Sequence, residues 1–178
     1  PPRSTLFPYT TLFRSGDWEN RLKQEILLGI GGMRALRVLG LAPKIYHYNE
    51  GHAAFAGLER LRECIQDEHL SFDEAMELVR ASGLYTTHTP VPAGHDAFSE
   101  EMIGRYFGHY PHRLGIDWRT MMSLGKIDPD NHDEKFSMSH LAANLSQNVN
   151  GVSMLHGKVS QDIFADMYPG YLPEELYI

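Results

Sequence analysis

The chain has 178 residues, 42% of them hydrophobic and 22% charged, with ten histidines, one cysteine and a formal net charge of -7. This balance suffices for one domain-sized core and excludes a nucleic-acid partner, which needs clustered Lys and Arg to displace counterions. No apolar run approaches the roughly 20 residues that cross a bilayer, a lone Cys64 forms no internal disulfide, and no signal-peptide pattern is present, which together read as cytoplasmic.

Residues 1–15, PPRSTLFPYTTLFRS, carry TLF twice and share no period with the downstream chain. Residues 5–15 resemble the in-frame translation of a sequencing adapter, so 1–15 read as an artefactual leader and 16–178 as the domain proper. From Asp17, an N-cap candidate, apolar residues at Trp18, Leu22, Ile26, Ile30 and Met33 trace one face of a helix. Within it GIGGMR lacks the last glycine of the dinucleotide fingerprint and has no strand before it. Its glycines read instead as close packing of the helix against a neighbouring backbone.

Pro43 then breaks the chain, Lys44–Asn49 reads as a short strand, and Ala54, Leu58, Leu61 and Ile65 mark the next helix. A further helix opens at Ser71, where SFDE makes a capping box with Glu74, and presents Phe72, Ala75, Met76 and Val79 to the core. Gly83 ends it, Leu84–His88 forms a second strand, and Pro90 and Pro92 stiffen the loop beyond. Helices are expected over Ser99–Gly108, Asp117–Leu124 and Met138–Ser146, with a DPDN turn at Asp128–Asn131 before the last of these. Gln147–Val152 supplies a third strand and turn, and Ser153 opens a final helix with Leu155, Val159 and Ile163 facing inward. This alternation predicts an α/β fold with a mainly parallel sheet and flanking helices.

In such sheets ligands gather beyond the carboxyl ends of the strands. Asn49, Glu50 and His52 come after the first predicted strand, His88 and Thr89 after the second, and Asn150 and Gly151 after the third. Amides, a carboxylate and imidazoles converging on one rim suit the many directed hydroxyls of a sugar. Asn49 also suits a second role, capping the following helix, and His52 could equally be a satisfied, partly buried histidine. His95 and Asp96 read as the end of the proline-rich loop, and His140 and His156 as helix packing or surface residues. No metal is expected: in HYNEGH, His47 lies in a strand and His52 after it, unlike the i, i+4 histidines of a zinc helix. GxSxG and Walker motifs are absent, and Cys64 sits within an amphipathic helix beside Glu63.

Four blocks in order carry a family resemblance: RLKQEILLGIGGMRALRVLGL, YHYNEGHAAFAGLERLR, YTTHTPVPAGHDAF and SHLAANLSQNVNGVSMLHGKVSQDIF. Together they resemble the α-glucan phosphorylase family, and the form HTPVPAGHD is similar to its bacterial and archaeal short members more than to the animal enzymes. The resemblance implies an internal fragment of the N-terminal, Rossmann-like domain of a GT-B glycosyltransferase. It implies release of glucose 1-phosphate from glycogen or maltodextrin by inorganic phosphate, with pyridoxal 5'-phosphate as cofactor. By the same resemblance His88 is catalytic, its backbone carbonyl facing the sugar, while Asn49, Glu50, His52, Thr89, Val149 and Asn150 bind substrate. The cofactor lysine belongs to a C-terminal domain whose motif matches none of Lys23, Lys44, Lys126, Lys135 and Lys158. The chain alone is therefore expected to be inactive, and to associate through apolar surface, while the complete protein could form a homo-oligomer. The alternatives are a nucleotide-sugar glycosyltransferase of the glycogen synthase type and a noncatalytic glucan-binding module.

Overall fold

A computed structural model describes residues 18–91 and 94–178; the leader over 1–15, the Asp17 cap and Pro92 lie outside the described residues. Helix α1 (Trp18–Ile26) passes through one π turn (Leu27–Gly31) into α2 (Gly32–Val38). Leu22, Ile30 and Met33 are buried along its inner face, with Ile26 packed against the same core. Trp18 stays half exposed and sets its ring edge-on to Phe98. Of the three glycines here the packing requires Gly29, where a Cβ would lie 2.7 Å from both the Ala56 nitrogen and the Phe55 Cβ. The expected close approach of helix to backbone is thus present, and Gly32 by contrast faces open space.

Strand β1 (Tyr46–Asn49) leads through a 3-10 turn (Gly51–Ala53) into α3 (Phe55–Gln66), then α4 (Phe72–Ala81) and β2 (Gly83–Thr87). The capping box at Ser71 forms, with Ser71 Oγ accepting from Glu74 N at 3.3 Å and the Glu74 carboxylate accepting from Ser71 N at 2.8 Å. A two-residue antiparallel pair, β3 (Ala97–Phe98) with β4 (Phe136–Ser137), brackets α5 (Glu100–Phe107), α6 (Tyr110–Leu114) and α7 (Trp118–Ser123). Helix α8 (Met138–Asn144), β5 (Asn148–Gly151) and α9 (Met154–Phe164) complete the order. The strands β1, β2 and β5 form one parallel sheet in that order, so the chain is α/β as its alternation predicts. Among the described residues no helix is long and apolar enough to cross a membrane.

Three features differ from expectation. Helix α6 has Pro111 in its first turn, a position where proline fits, and its five residues give no visible period. The β3–β4 pair is too short for alternation to register. Helix α9 buries Gly157, Ser160 and Phe164, leaving Leu155 exposed. Small residues face inward there because a Cβ on Gly157 would come within 2.9 Å of the Ile178 carbonyl.

The core gathers on α3, whose Phe55, Leu58 and Leu61 are fully buried, each contributing roughly 1.5–3 kcal/mol of apolar burial. Phe55 stacks on Phe107 at 4.5 Å between ring centres. Paired residues of the parallel register share a face, so Tyr48, Tyr85 and Val149 point toward this core together. At the amino ends of the strands, Arg60 lies 3.7 Å over the Tyr46 ring and donates to Val79 O at 3.2 Å and Ser82 Oγ at 2.6 Å. Arg37 there donates to Glu63 at 2.8 Å and to the Tyr46 hydroxyl at 3.1 Å.

Candidate functional site

The carboxyl ends of β1 and β2 lie side by side because Asn49 and Thr86 are register partners. That brings two segments nearly forty residues apart into one hydrogen-bonded set. His88 Nε2 meets Asn49 Oδ1 at 2.5 Å, and the His88 backbone N–H donates to Glu50 Oε1. Thr89 Oγ1 donates to the same carboxylate oxygen at 3.2 Å. Asn49 therefore holds the His88 ring rather than capping a helix, and the 3-10 turn beyond it has no side-chain cap. Glu50 itself has φ 70 and ψ 168, a region that side chains other than glycine's rarely occupy and that costs about 1–3 kcal/mol. Its hydrogen bonds to the β2 exit, and Glu50 N donating to Thr86 O at 3.0 Å, hold it there.

On the outward face of the sheet a second row crosses all three strands. His47 Nε2 meets Thr86 Oγ1 at 2.7 Å, and that hydroxyl donates to Asn150 Oδ1 at 2.7 Å. Asn150 thus joins the rim through Thr86, while its neighbour Val149 turns its side chain to the core and can offer a ligand only its backbone.

Beside the rim opens a cavity of about 530 Å³, lined by Glu50, His52 and Thr89 together with Arg21, Glu25, His95, Asp96 and Ser139. Gly51 forms part of its wall where β1 meets α8, since a Cβ there would lie 2.9 Å from Ser139 N. His95 and Asp96, read from the sequence as a loop end, both face this space. His95 Nδ1 meets Ser139 Oγ at 2.5 Å, and Asp96 accepts from Arg21 Nη2 at 2.6 Å. His52, half-buried, has its imidazole held below the ordinary value by burial and then by Arg21, so it is neutral at neutral pH. A neutral imidazole can both donate to and accept from hydroxyls.

Arg21, Glu25 and Ser139 escape sequence reasoning because no fixed spacing links them to the rim; α1 and α8 deliver them from opposite ends of the chain. One signal exists for Glu25, which falls on the apolar stripe of α1, three residues after Leu22 and four before Gly29. His140 packs edge-on against Phe164, and Cys64 is buried, its thiol pushed up by that burial. Neither is placed for chemistry. No group of three metal-ligating side chains converges among the described residues.

Residues 41–177 match the family described as carbohydrate phosphorylase. The chain is 45% identical over 174 residues to a glycogen phosphorylase of Mycobacterium tuberculosis, covering 92% of this chain and 20% of that protein. It is 40% identical over 158 residues to a maltodextrin phosphorylase of Thermococcus litoralis, covering 89% and 18%. Against the brain form of glycogen phosphorylase from Bos taurus the identity is 26% over 135 residues, covering 67% and 16%, so the bacterial and archaeal relatives are the nearer ones of the three. The chain spans about a fifth of the length of these curated relatives.

Proposed function

Because the chain belongs to the carbohydrate phosphorylase family, we propose that it forms one wall of the glucan site of an α-1,4-glucan phosphorylase acting on glycogen or maltodextrin. The observation that carries this reading is the joining of Asn49, Glu50 and His88 at the carboxyl ends of two adjacent parallel strands, beside a polar cavity. His88 is the catalytic residue of this wall: Asn49 and Glu50 fix its ring and its N–H, which orients its backbone toward a sugar ring at the rim. Thr89 and His52 meet hydroxyls in the cavity, and Asn150 with the Val149 backbone closes the far side.

The described lysines do not suit a pyridoxal phosphate Schiff base. Lys126 is buried but its ammonium is held by Glu100 at 2.6 Å and by Asn131 O at 3.0 Å, and the other four are exposed. We assign that cofactor, with the residues that bind phosphate, to a second Rossmann-like domain across a cleft in the GT-B arrangement, and the reaction to the cytoplasm. Residues 16–178 are then part of the N-terminal catalytic domain. Transition-state stabilisation needs both walls, so this chain by itself is inactive.

The test is glucose 1-phosphate formation from maltodextrin and inorganic phosphate by the complete polypeptide that carries this segment. Turnover is expected with phosphate alone. Turnover that required a nucleotide sugar would overturn phosphorolysis, and detectable phosphorolysis by the 178-residue chain would overturn the two-wall argument.

A further inference from the structure

Glu25 lies on α1 and forms part of the cavity's lining, its side chain is only 2% exposed, and neither oxygen accepts a hydrogen bond from the described residues. Its one charge contact is Arg21 Nε at 3.1 Å, but that N–H is directed at Asp96 Oδ2, 3.2 Å away, while Arg21 Nη2 reaches the same oxygen at 2.6 Å. Two carboxyl groups thus share one guanidinium nitrogen where water does not reach Glu25. One cation cannot fully compensate two carboxylates when one of them is cut off from water, and the buried group lacking donors is the one that remains neutral.

We infer that Glu25 retains its proton at neutral pH and, as a neutral carboxyl beside the Arg21–Asp96 pair, is a positioning residue for His95 and Asp96. The charged and titratable groups around the cavity agree with this. Besides Arg21 on its own helix, these are Glu50 and His52 from the turn after β1, and His95 and Asp96 from the loop after β2; α8 offers only Ser139. Arg21 is thus the one fixed cation among them. Burial pushes the Glu25 carboxyl up to about 9, the Asp96 carboxylate adds to this, and the opposing pull of Arg21 is smaller.

Loss of the proton would set Glu25 against Asp96 and displace the loop end. Asp96 is tied there by its carbonyl, which accepts from Met138 N at 3.0 Å, and its neighbour His95 by Ser139. The wall of the cavity would move with them.

The raised value sets the sign of the linkage. Between 4.5, the ordinary value, and about 9 the folded chain binds the Glu25 proton and the unfolded chain does not, so its contribution to stability falls as pH rises through that window. His52, whose value is lowered, works in the opposite direction, so the comparison must be made against Glu25→Gln, which is neutral at every pH and keeps a donor.

The experiment has two arms on the 178-residue chain. Infrared spectra of the unmodified protein should show a protonated-carboxyl carbonyl band at neutral pH that disappears with alkali. The amide resonances of His95 and Asp96 should shift with the same midpoint. In Glu25→Gln the band should be absent, both resonances should stay near their neutral-pH positions through the alkaline range, and the melting temperature should not show the parent's decline between pH 4.5 and about 9. No such band in the parent at neutral pH, or His95 and Asp96 resonances that ignore its loss, overturns the inference; both readings come from the unmodified protein and do not depend on the variant folding. Neither uses a sugar, so their failure is distinguishable from failure of the phosphorolysis reading.

Discussion

At the amino ends of β1 and β2 two arginines have found partners: Arg60 is stacked on Tyr46 and bonded to Val79 O and Ser82, and Arg37 is bonded to Glu63 and Tyr46. At the carboxyl ends of the same strands, about 15 Å away by the rise of a short strand, polar groups are left over. Glu25 has no hydrogen-bond donor, the Nε2 of His95 has no partner among the described residues, and Glu50 is held in a strained backbone conformation. Both ends use similar residues on the same scaffold. What separates them is that the arginines of one end are engaged within the chain, and so serve folding, while the other end keeps polar groups whose partners a ligand could supply.

The largest effect should come from breaking the satisfied end. Arg60→Ala removes the stack on Tyr46 and the guanidinium hydrogen bonds to Val79 O and Ser82 Oγ, at a cost of about 3 kcal/mol by urea denaturation. If the loss is below about 1 kcal/mol, the amino rim is not the structural end of the sheet. Next, Glu50→Gly should be more stable than Glu50→Ala by about 1–2 kcal/mol, since glycine relieves the positive φ that alanine keeps. Equal stabilities would show that Glu50 carries no strain.

Much of this contrast is legible in the sequence. Asn49, Glu50 and His88 each stand at or just past the end of a predicted strand, and parallel pairing then has to bring them together. The Ser71 capping box and the Ser99, Asp117 and Ser153 caps are likewise local signals that the chain honours. What local pattern does not carry is the third dimension of the cavity. Arg21 and Asp96 are separated by 75 residues, and only the packing of α1 across the β2 exit makes them neighbours. On α9 Ile163 packs on the core as expected, but Leu155 has the right spacing and the wrong space, because the Ile178 carbonyl lies against Gly157.

Smaller effects sharpen the comparison further. Asn49→Ala, at an exposed position, should cost under about 1 kcal/mol of stability yet slow phosphorolysis by the complete polypeptide by about a hundredfold, because the His88 ring loses its support. Unchanged turnover would remove His88 orientation from the mechanism. His52 and His140 are both held below the ordinary 6.5, chiefly by burial. Depressed values mean that their contribution is present above 6.5 and is lost as pH falls through the folded-state values. Thermal melts on the acid side should therefore be flatter for a His52→Gln, His140→Gln double variant than for the parent. Exposed Leu27, Val38, Leu39 and Ile45 form the apolar surface around α1, α2 and β1, and sedimentation should show Val38→Glu with Leu39→Lys shifting the isolated chain toward monomer.

The π turn at Leu27–Gly31 sets the phase of one long helical rod. Upstream of it, Arg21 and Glu25 line the cavity; downstream, Arg34 reaches Glu59 at 2.8 Å and Arg37 reaches Glu63 at 2.8 Å on α3. Each residue added to or removed from a helix turns everything beyond it by about 100°. The wide π turn takes up one extra residue without that rotation, so deleting Gly31 should restore an uninterrupted α-helix with both arginines still on their glutamates. The turn thus acts as slack between two fixed engagements, and within LLGIG the position least free to change is Gly29, where a Cβ would lie 2.7 Å from Ala56 N.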